Sequence, residues 1–102
     1  MIIGNPSPLT LASAVLKPST IEAVRQSSSY TLTGWKILDR WAFNSPQQLR
    51  LLEQTGEMLL LERLLVQQDL EAKALRGSQQ ALQEGLTEME ILQQHEIQTE
   101  LL

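Results

Sequence analysis

The chain contains no cysteine, which excludes disulfide bridges and thiolate metal sites. Aromatic residues are also few, and all of them lie between positions 30 and 43. No apolar run approaches the roughly 20 residues that a membrane-spanning helix needs. Residues 1–6 lack the basic and apolar regions of a signal peptide. These absences predict a chain without a transmembrane segment, located inside a cell or within a particle.

Residues that carry chemistry are equally scarce. His95 is the only histidine. His95-Glu96 begins like the H-E-x-x-H helix of a zinc protease, but Thr99 occupies the position of the second histidine. The serines of residues 27–29 have no histidine nearby to act as a base. The sequence therefore predicts a protein that is not an enzyme and that has no metal or cofactor site.

Charge is distributed unevenly along the chain, whose net charge is −4. Residues 1–44 carry four basic and two acidic side chains, whereas residues 45–102 carry four basic and ten acidic ones. An acidic surface repels phosphate, so we expect the C-terminal half to be a poor nucleic-acid surface. The asymmetry also favours head-to-tail contact between copies, although a solvated acidic face explains it more simply.

Leucine and glutamine dominate the composition, and both are good helix formers. We therefore predict an all-α fold, with residues 19–102 as a single helical domain. Residues 1–18, interrupted by three prolines, are predicted to form an extended arm. Within this arm, Ser7 and Pro8 resemble the N-cap and the first position of a helix of two turns.

Short helices are predicted between residues 19 and 44. Ser19 and Glu22 fit a capping box, which predicts a helix over about 20–27. The helical spacing of Trp35, Leu38 and Trp41 predicts a second helix over 34–43. Alternating apolar residues over 30–37 leave a short strand as the alternative.

A long helix is predicted over residues 45–76. Ser45 and Pro46 fit its N-cap and first position, and Gln48 completes a capping box. Arg76-Gly77-Ser78 combines a last-turn cation, a helix-ending glycine and a new N-cap, so we predict a break at Gly77 with positive φ. A C-terminal helix over 78–102 then folds back as a hairpin. The alternative is one continuous rod to the C-terminus.

The most apolar segment, Met58–Val66, contains seven apolar residues out of nine. Helical spacing spreads them around most of the circumference, and a helix that is apolar all round is buried. Each leucine left in water forgoes about 1.5–3 kcal/mol. We therefore expect other protein chains, in a homo- or hetero-oligomer, to cover part of this belt and to receive the arm. The predicted interface residues are Leu59, Leu60, Leu64, Leu65, Val66, Leu82, Leu86, Met89, Ile2, Ile3, Leu9 and Leu11.

The expected function is that of a structural or adaptor subunit of a multi-chain assembly, of which small phage-particle or contractile-tail components are one example. The alternative is a small helix-turn-helix regulator that dimerises through its C-terminal helices. In that alternative Lys36 and Arg40 would contact phosphates. The tryptophans and other apolar residues around them leave few polar positions to contact bases, which favours the first function.

Overall fold

The computed structural model describes residues 8–101, and that range forms seven α-helices without a strand. The all-α prediction is confirmed, and the alternative of a short strand over 30–37 is wrong. The helices are α1 (Thr10–Val15), α2 (Pro18–Gln26), α3 (Leu32–Asn44), α4 (Pro46–Thr55), α5 (Glu57–Arg76), α6 (Gln79–Gln83) and α7 (Glu88–Gln94).

Helix α3 is the centre of the fold, in contact with α1, α4 and α5. Ile37, Leu38 and Trp41 recur at helical spacing and are almost completely buried, because helices surround this face of α3. Leu60 and Leu64 of α5 are fully buried against the same cluster. The apolar belt of α5 is therefore covered on this side by the chain itself.

The N-terminal segment packs into the core, so the predicted extended arm is wrong over residues 8–18. Leu9 and Leu16 are buried in the central cluster. Asp39 of α3 fixes the start of α1, because its two carboxylate oxygens accept hydrogen bonds from the backbone N–H groups of Leu9 (2.7 Å) and Ala12 (2.9 Å). The part of the predicted arm before Pro8 lies outside the described residues.

Helix α2 begins earlier than predicted, at Pro18, with Lys17 as its N-cap. The expected capping box of Ser19 and Glu22 is wrong, since Pro18 suits the first helical position and the helix begins there. The backbone N–H of Lys17 instead donates to Glu53 of α4 at 2.8 Å. A carboxylate from a neighbouring helix thus takes the role that a local cap was expected to have.

The predicted helix over 45–76 is two helices, separated at Gly56. Gly56 has extended backbone angles, φ 170 and ψ 128, and glycine is a poor helix former. The break lets α4 and α5 pack against each other, which one straight helix does not allow. Ser45 is the N-cap of α4 as predicted, but its hydroxyl makes no capping hydrogen bond.

The chain turns back after α5, so the continuous rod is wrong, and α5 ends at the predicted break. Helix α5 ends at Arg76, and α7 packs against α5 through the buried Ile91 and Leu92. Gly77 has φ −77, so the predicted positive φ is wrong; Gly85, between α6 and α7, has φ 102. The predicted C-terminal helix is thus divided into α6, α7 and a non-helical end.

The two glycines are expected to respond oppositely to alanine. Gly85→Ala is expected to destabilise the fold by about 1–2 kcal/mol, because alanine adopts this positive φ only at a cost. Gly77→Ala is expected to stabilise it by about 0.4–1 kcal/mol, since alanine tolerates the backbone angles at Gly77 and restricts the unfolded chain. Urea unfolding compared at equal slope measures both effects. A loss of stability in Gly77→Ala would contradict this account of the turn.

Candidate interaction surface

Large apolar side chains remain exposed along α4 and α5. Their exposed fractions lie between 48% and 66%. Scattered exposed leucines are common in proteins, but these are neighbours. Leu59, Val66 and Leu70, with Arg63 between them, follow at helical spacing on one face of α5. The exposed residues are Leu51, Met58, Leu59, Val66 and Leu70.

Two grooves border this face of α5. The first, of about 400 Å³, lies between α4 and α5, where Leu51 and Leu59 line it and Leu101 closes one side. The second, of about 500 Å³, is lined by Val66 and Leu70 of α5 and by residues 95–98. Arg63 lines both grooves and is the residue that they share. We call Leu51, Leu59, Arg63, Val66 and Leu70 the α4–α5 surface.

Arg63 is held in place at the middle of this surface. Its guanidinium group lies 5.2 Å from the ring centroid of the buried Trp41, and its Nη1 donates to Gln67 Oε1 at 2.8 Å. Glu62 and Asp69 are exposed on α5 beside the stripe, and neither forms an ion pair within residues 8–101. The surface is therefore apolar, with one fixed cation and an acidic edge.

A buried ion pair lies between α3 and α5. Glu71 is 2% exposed, and its carboxylate receives two hydrogen bonds from the Arg40 guanidinium, one of them from Nη1 to Oε1 at 3.1 Å. Gln67 Nε2 donates to the same carboxylate at 2.6 Å. Bidentate geometry and the additional donor compensate the removal of both charges from water.

The ion pair also positions residues 97–101, which we call the C-terminal tail. The backbone carbonyl of Thr99 accepts from Arg40 Nη2 at 2.8 Å and from Trp41 Nε1 at 3.0 Å. Gln67 Nε2 donates to the carbonyl of Gln98 at 2.7 Å. The tail consequently lies beside the α4–α5 surface, where the buried Leu101 closes one groove.

A second amide fastens the loop before α3 onto α5. Gln68 Oε1 accepts from the backbone N–H of Thr31, and its Nε2 donates to the carbonyl of Ser29, both at 2.9 Å. A Cβ at Gly34 would overlap the Gln68 carboxamide, so a larger residue there would displace this amide. Tyr30 donates to the carbonyl of Leu61 at 2.6 Å, and burial, with the Glu62 charge as a smaller cause, raises the pKa of Tyr30.

The structure divides the predicted interface residues. Leu59 and Val66 are exposed and lie together on the α4–α5 surface, and Leu11 and Met89 are exposed elsewhere. The interface prediction is wrong for Leu9, Leu60 and Leu64. The chain's own core buries these side chains completely and leaves no surface for a partner to contact. Partly exposed positions are Leu65, Leu82 and Leu86. Ile2 and Ile3 lie outside the described residues.

Sequence reasoning did not predict Leu51 and Leu70 as members of this surface. It also missed the tail, because the packing of non-helical residues on a distant arginine leaves no periodic signal in a sequence.

The reactive and metal-ligating types of side chain either contact other residues of the chain or lie apart from one another. His95 Nε2 lies 3.2 Å from Ser78 Oγ. Within residues 8–101 no cluster of three or more potential ligands is arranged to hold a metal ion. The helix-turn-helix alternative expected Arg40 to contact phosphate. Its guanidinium group instead forms an ion pair with Glu71 and donates to the carbonyl of Thr99. Of the two basic residues proposed for that role, Lys36 alone is exposed.

Breaking the buried ion pair is expected to be costly. Glu71→Ala is expected to destabilise the fold by about 2–3 kcal/mol, because the mostly buried Arg40 loses its bidentate partner and keeps only the more distant Glu100 carboxylate, 3.7 Å from its Nε. Replacing both residues with methionine is expected to recover much of that loss, since no buried charge remains. Glu62→Ala, at an exposed position of the same helix, is the control and is expected to stay within about 0.5 kcal/mol. A loss below about 1 kcal/mol for Glu71→Ala in urea unfolding would contradict the proposed importance of the pair.

Comparison with known proteins adds no family assignment. Among the described residues, no helix combines the length and the apolar character that crossing a membrane requires. No protein-family model, curated protein or solved structure matches this chain.

Proposed function

We propose that this chain is a non-enzymatic structural or adaptor subunit of a multi-chain assembly, and that it binds a helix of another protein along the α4–α5 surface. The observation that carries the proposal is the set of exposed apolar side chains from Leu51 on α4 to Leu70 on α5, which line two grooves that share Arg63. Contiguous apolar surfaces with polar borders are typical of protein-binding sites. Phage-particle and contractile-tail subunits remain one class of assembly that fits this function.

The dimensions of the surface favour a helical partner. From Leu59 to Leu70 the stripe extends about 16 Å, which is three helical turns. An amphipathic helix that lies in an apolar groove contacts it with residues at i, i+4 and i+7. The same spacing separates Leu59, Arg63 and Val66 on α5, so two such stripes can pack along their length.

The charged edge favours a basic partner over a second copy of this chain. Glu62 and Asp69 lie seven residues apart beside the stripe, and a helix with Lys or Arg along the facing edge would neutralise both. In a two-fold symmetric, antiparallel pair of α5 helices, each edge faces the same edge of the other copy. That arrangement brings the acidic residues of both copies together, and like charges then oppose the pairing.

The helix-turn-helix alternative has less support. Its phosphate contacts were expected from Lys36 and Arg40, and the internal ion pair and tail contacts of Arg40 leave it unsuited to that role. The acidic C-terminal half also opposes binding to a polyanion. We therefore propose the structural or adaptor function and not the helix-turn-helix alternative.

A designed peptide tests the proposed surface directly. The probe is a helical peptide of about 14 residues with leucines at i, i+4, i+7 and i+11 and lysines along one edge; it spans roughly 21 Å. We expect it to bind the full chain, and Leu59→Glu with Val66→Glu to weaken binding about tenfold or more in calorimetry. Leu32→Glu is the control, because Leu32 is 50% exposed on α3, away from the surface.

Two outcomes would contradict the proposal. One is equal weakening by the Leu32 control, which would indicate nonspecific association. The other is equal or tighter binding of a reference peptide with glutamates in place of the lysines, since the acidic edge would then have no role in selecting the partner.

A further inference from the structure

The C-terminal tail is attached to the rest of the chain in the way a bound peptide is attached to a receptor. Within the described range, residues 98–101 make no backbone–backbone hydrogen bond with another segment. Their contacts come from side chains of α3, α5 and the turn between α3 and α4. Ile97, the first residue of the tail, donates its N–H to the Leu92 carbonyl of α7, whereas residues 98–101 belong to no helix and are held by side-chain donors and by the burial of Leu101.

Four side chains contact three backbone carbonyl groups of the tail. Gln67 donates to the carbonyl of Gln98, Arg40 and Trp41 both donate to the carbonyl of Thr99, and Ser45 Oγ lies 3.5 Å from the carbonyl of Leu101. Every peptide carries carbonyl groups, so these donors do not distinguish one sequence from another.

Two further contacts recognise side chains. Glu100 lies 3.7 Å from Arg40 Nε and accepts a hydrogen bond from Asn44 Nδ2 at 3.1 Å. Leu101 is 9% exposed and borders the apolar groove between α4 and α5. The site therefore prefers an acidic residue followed by leucine in a non-helical segment.

A strained residue separates the tail from α7. Glu96 has φ 57, a left-handed conformation that costs a non-glycine residue about 1–2 kcal/mol. The N–H of Ile97 donates to the carbonyl of Leu92 at 3.0 Å, so this left-handed residue is part of the C-terminal cap of α7. Glu96 thus marks the point where α7 ends and the tail begins.

We propose that α3, α4 and α5 form a binding site for a non-helical peptide with an acidic residue followed by leucine, and that the tail of a second copy of this chain takes the place of the resident tail. The second copy is the chosen occupant because its tail has the sequence that the site already holds. Exchange of tails links copies through five residues each. This inference does not depend on helix docking at the α4–α5 surface, since the two sites receive different ligands.

The protein concentration determines whether each copy binds its own tail or the tail of another copy. A tail tethered to its own site competes at an effective concentration of about millimolar, so dilute protein keeps its own tail. Copies exchange tails when their concentration approaches that value. Any change that unseats the resident tail is expected to open the site to an added peptide.

The test uses a fluorescein-labelled peptide of residues 96–102 and the full chain. We expect Leu101→Asp protein to bind this peptide about tenfold or more tightly than the unaltered protein in fluorescence anisotropy, because its own tail no longer competes. Peptides that carry Asp for Leu at position 101, or Lys for Glu at position 100, are expected to bind about tenfold or more weakly. The peptide variants carry the specificity test, since a peptide cannot fail through misfolding.

Glu100→Lys protein provides a second way to release the tail if circular dichroism shows that Leu101→Asp does not fold. Equal binding to the unaltered protein and to whichever variant folds, or equal binding of all three peptides, would overturn the proposal. If neither variant folds, competition on the unaltered protein at high peptide concentration decides: sequence-selective binding supports the proposal and its absence overturns it. The helical probe and the tail peptide differ, so failure of one proposal leaves the other distinguishable.

Discussion

The ion pair between Arg40 and Glu71 connects parts of the molecule that lie far apart in the sequence. It joins α3 to α5, and through the Thr99 carbonyl it fastens the tail to both. Gln67 extends the same network to the carbonyl of Gln98. A buried pair of this kind contributes little net stability compared with apolar residues of the same size, but loss of one partner is costly. Its main effect is therefore to specify one arrangement of α3, α5 and the tail.

The exposed surface follows from how this core is completed. Helix α3 covers the face of α5 that carries Leu60 and Leu64, and Leu101 reaches the edge of the groove beside α4. Helix α7 packs on another part of α5. The face with Leu59, Val66 and Leu70 is left without such cover among the described residues, and its exposure is the physical basis of the proposed docking function.

Local sequence patterns predicted the helices better than the way in which the helices pack together. Helical spacing around Trp41 located α3, Ser45-Pro46 located the start of α4, and Arg76-Gly77 located the end of α5. The break at Gly56 was not predicted, because a single glycine costs only about 1 kcal/mol in a helix and does not by itself end one. The packing of α4 on α5 decides the break. The docked N-terminal segment was missed because Asp39, which holds it, is 27 residues distant from Ala12.

The candidate surface was predicted in part for the same reason. The density of leucines in α5 indicated an apolar belt, but not which face the chain itself covers. Leu60 and Leu59 are adjacent in sequence, yet one is fully buried and the other half exposed. The contacts that decide this come from α3, α4 and the tail, and their arrangement depends on polar pairs that have no periodicity.

The central claim is that the chain completes its own core and reserves the α4–α5 surface for another protein. Thermal unfolding of the full chain, followed by circular dichroism from micromolar to nanomolar concentration, tests it most directly. The account predicts a folded monomer whose melting temperature does not change on dilution, because no partner is needed to bury Trp41, Leu60 and Leu64. A melting temperature that falls on dilution, with loss of helicity, would show that the surface belongs to an obligate interface and would contradict the account.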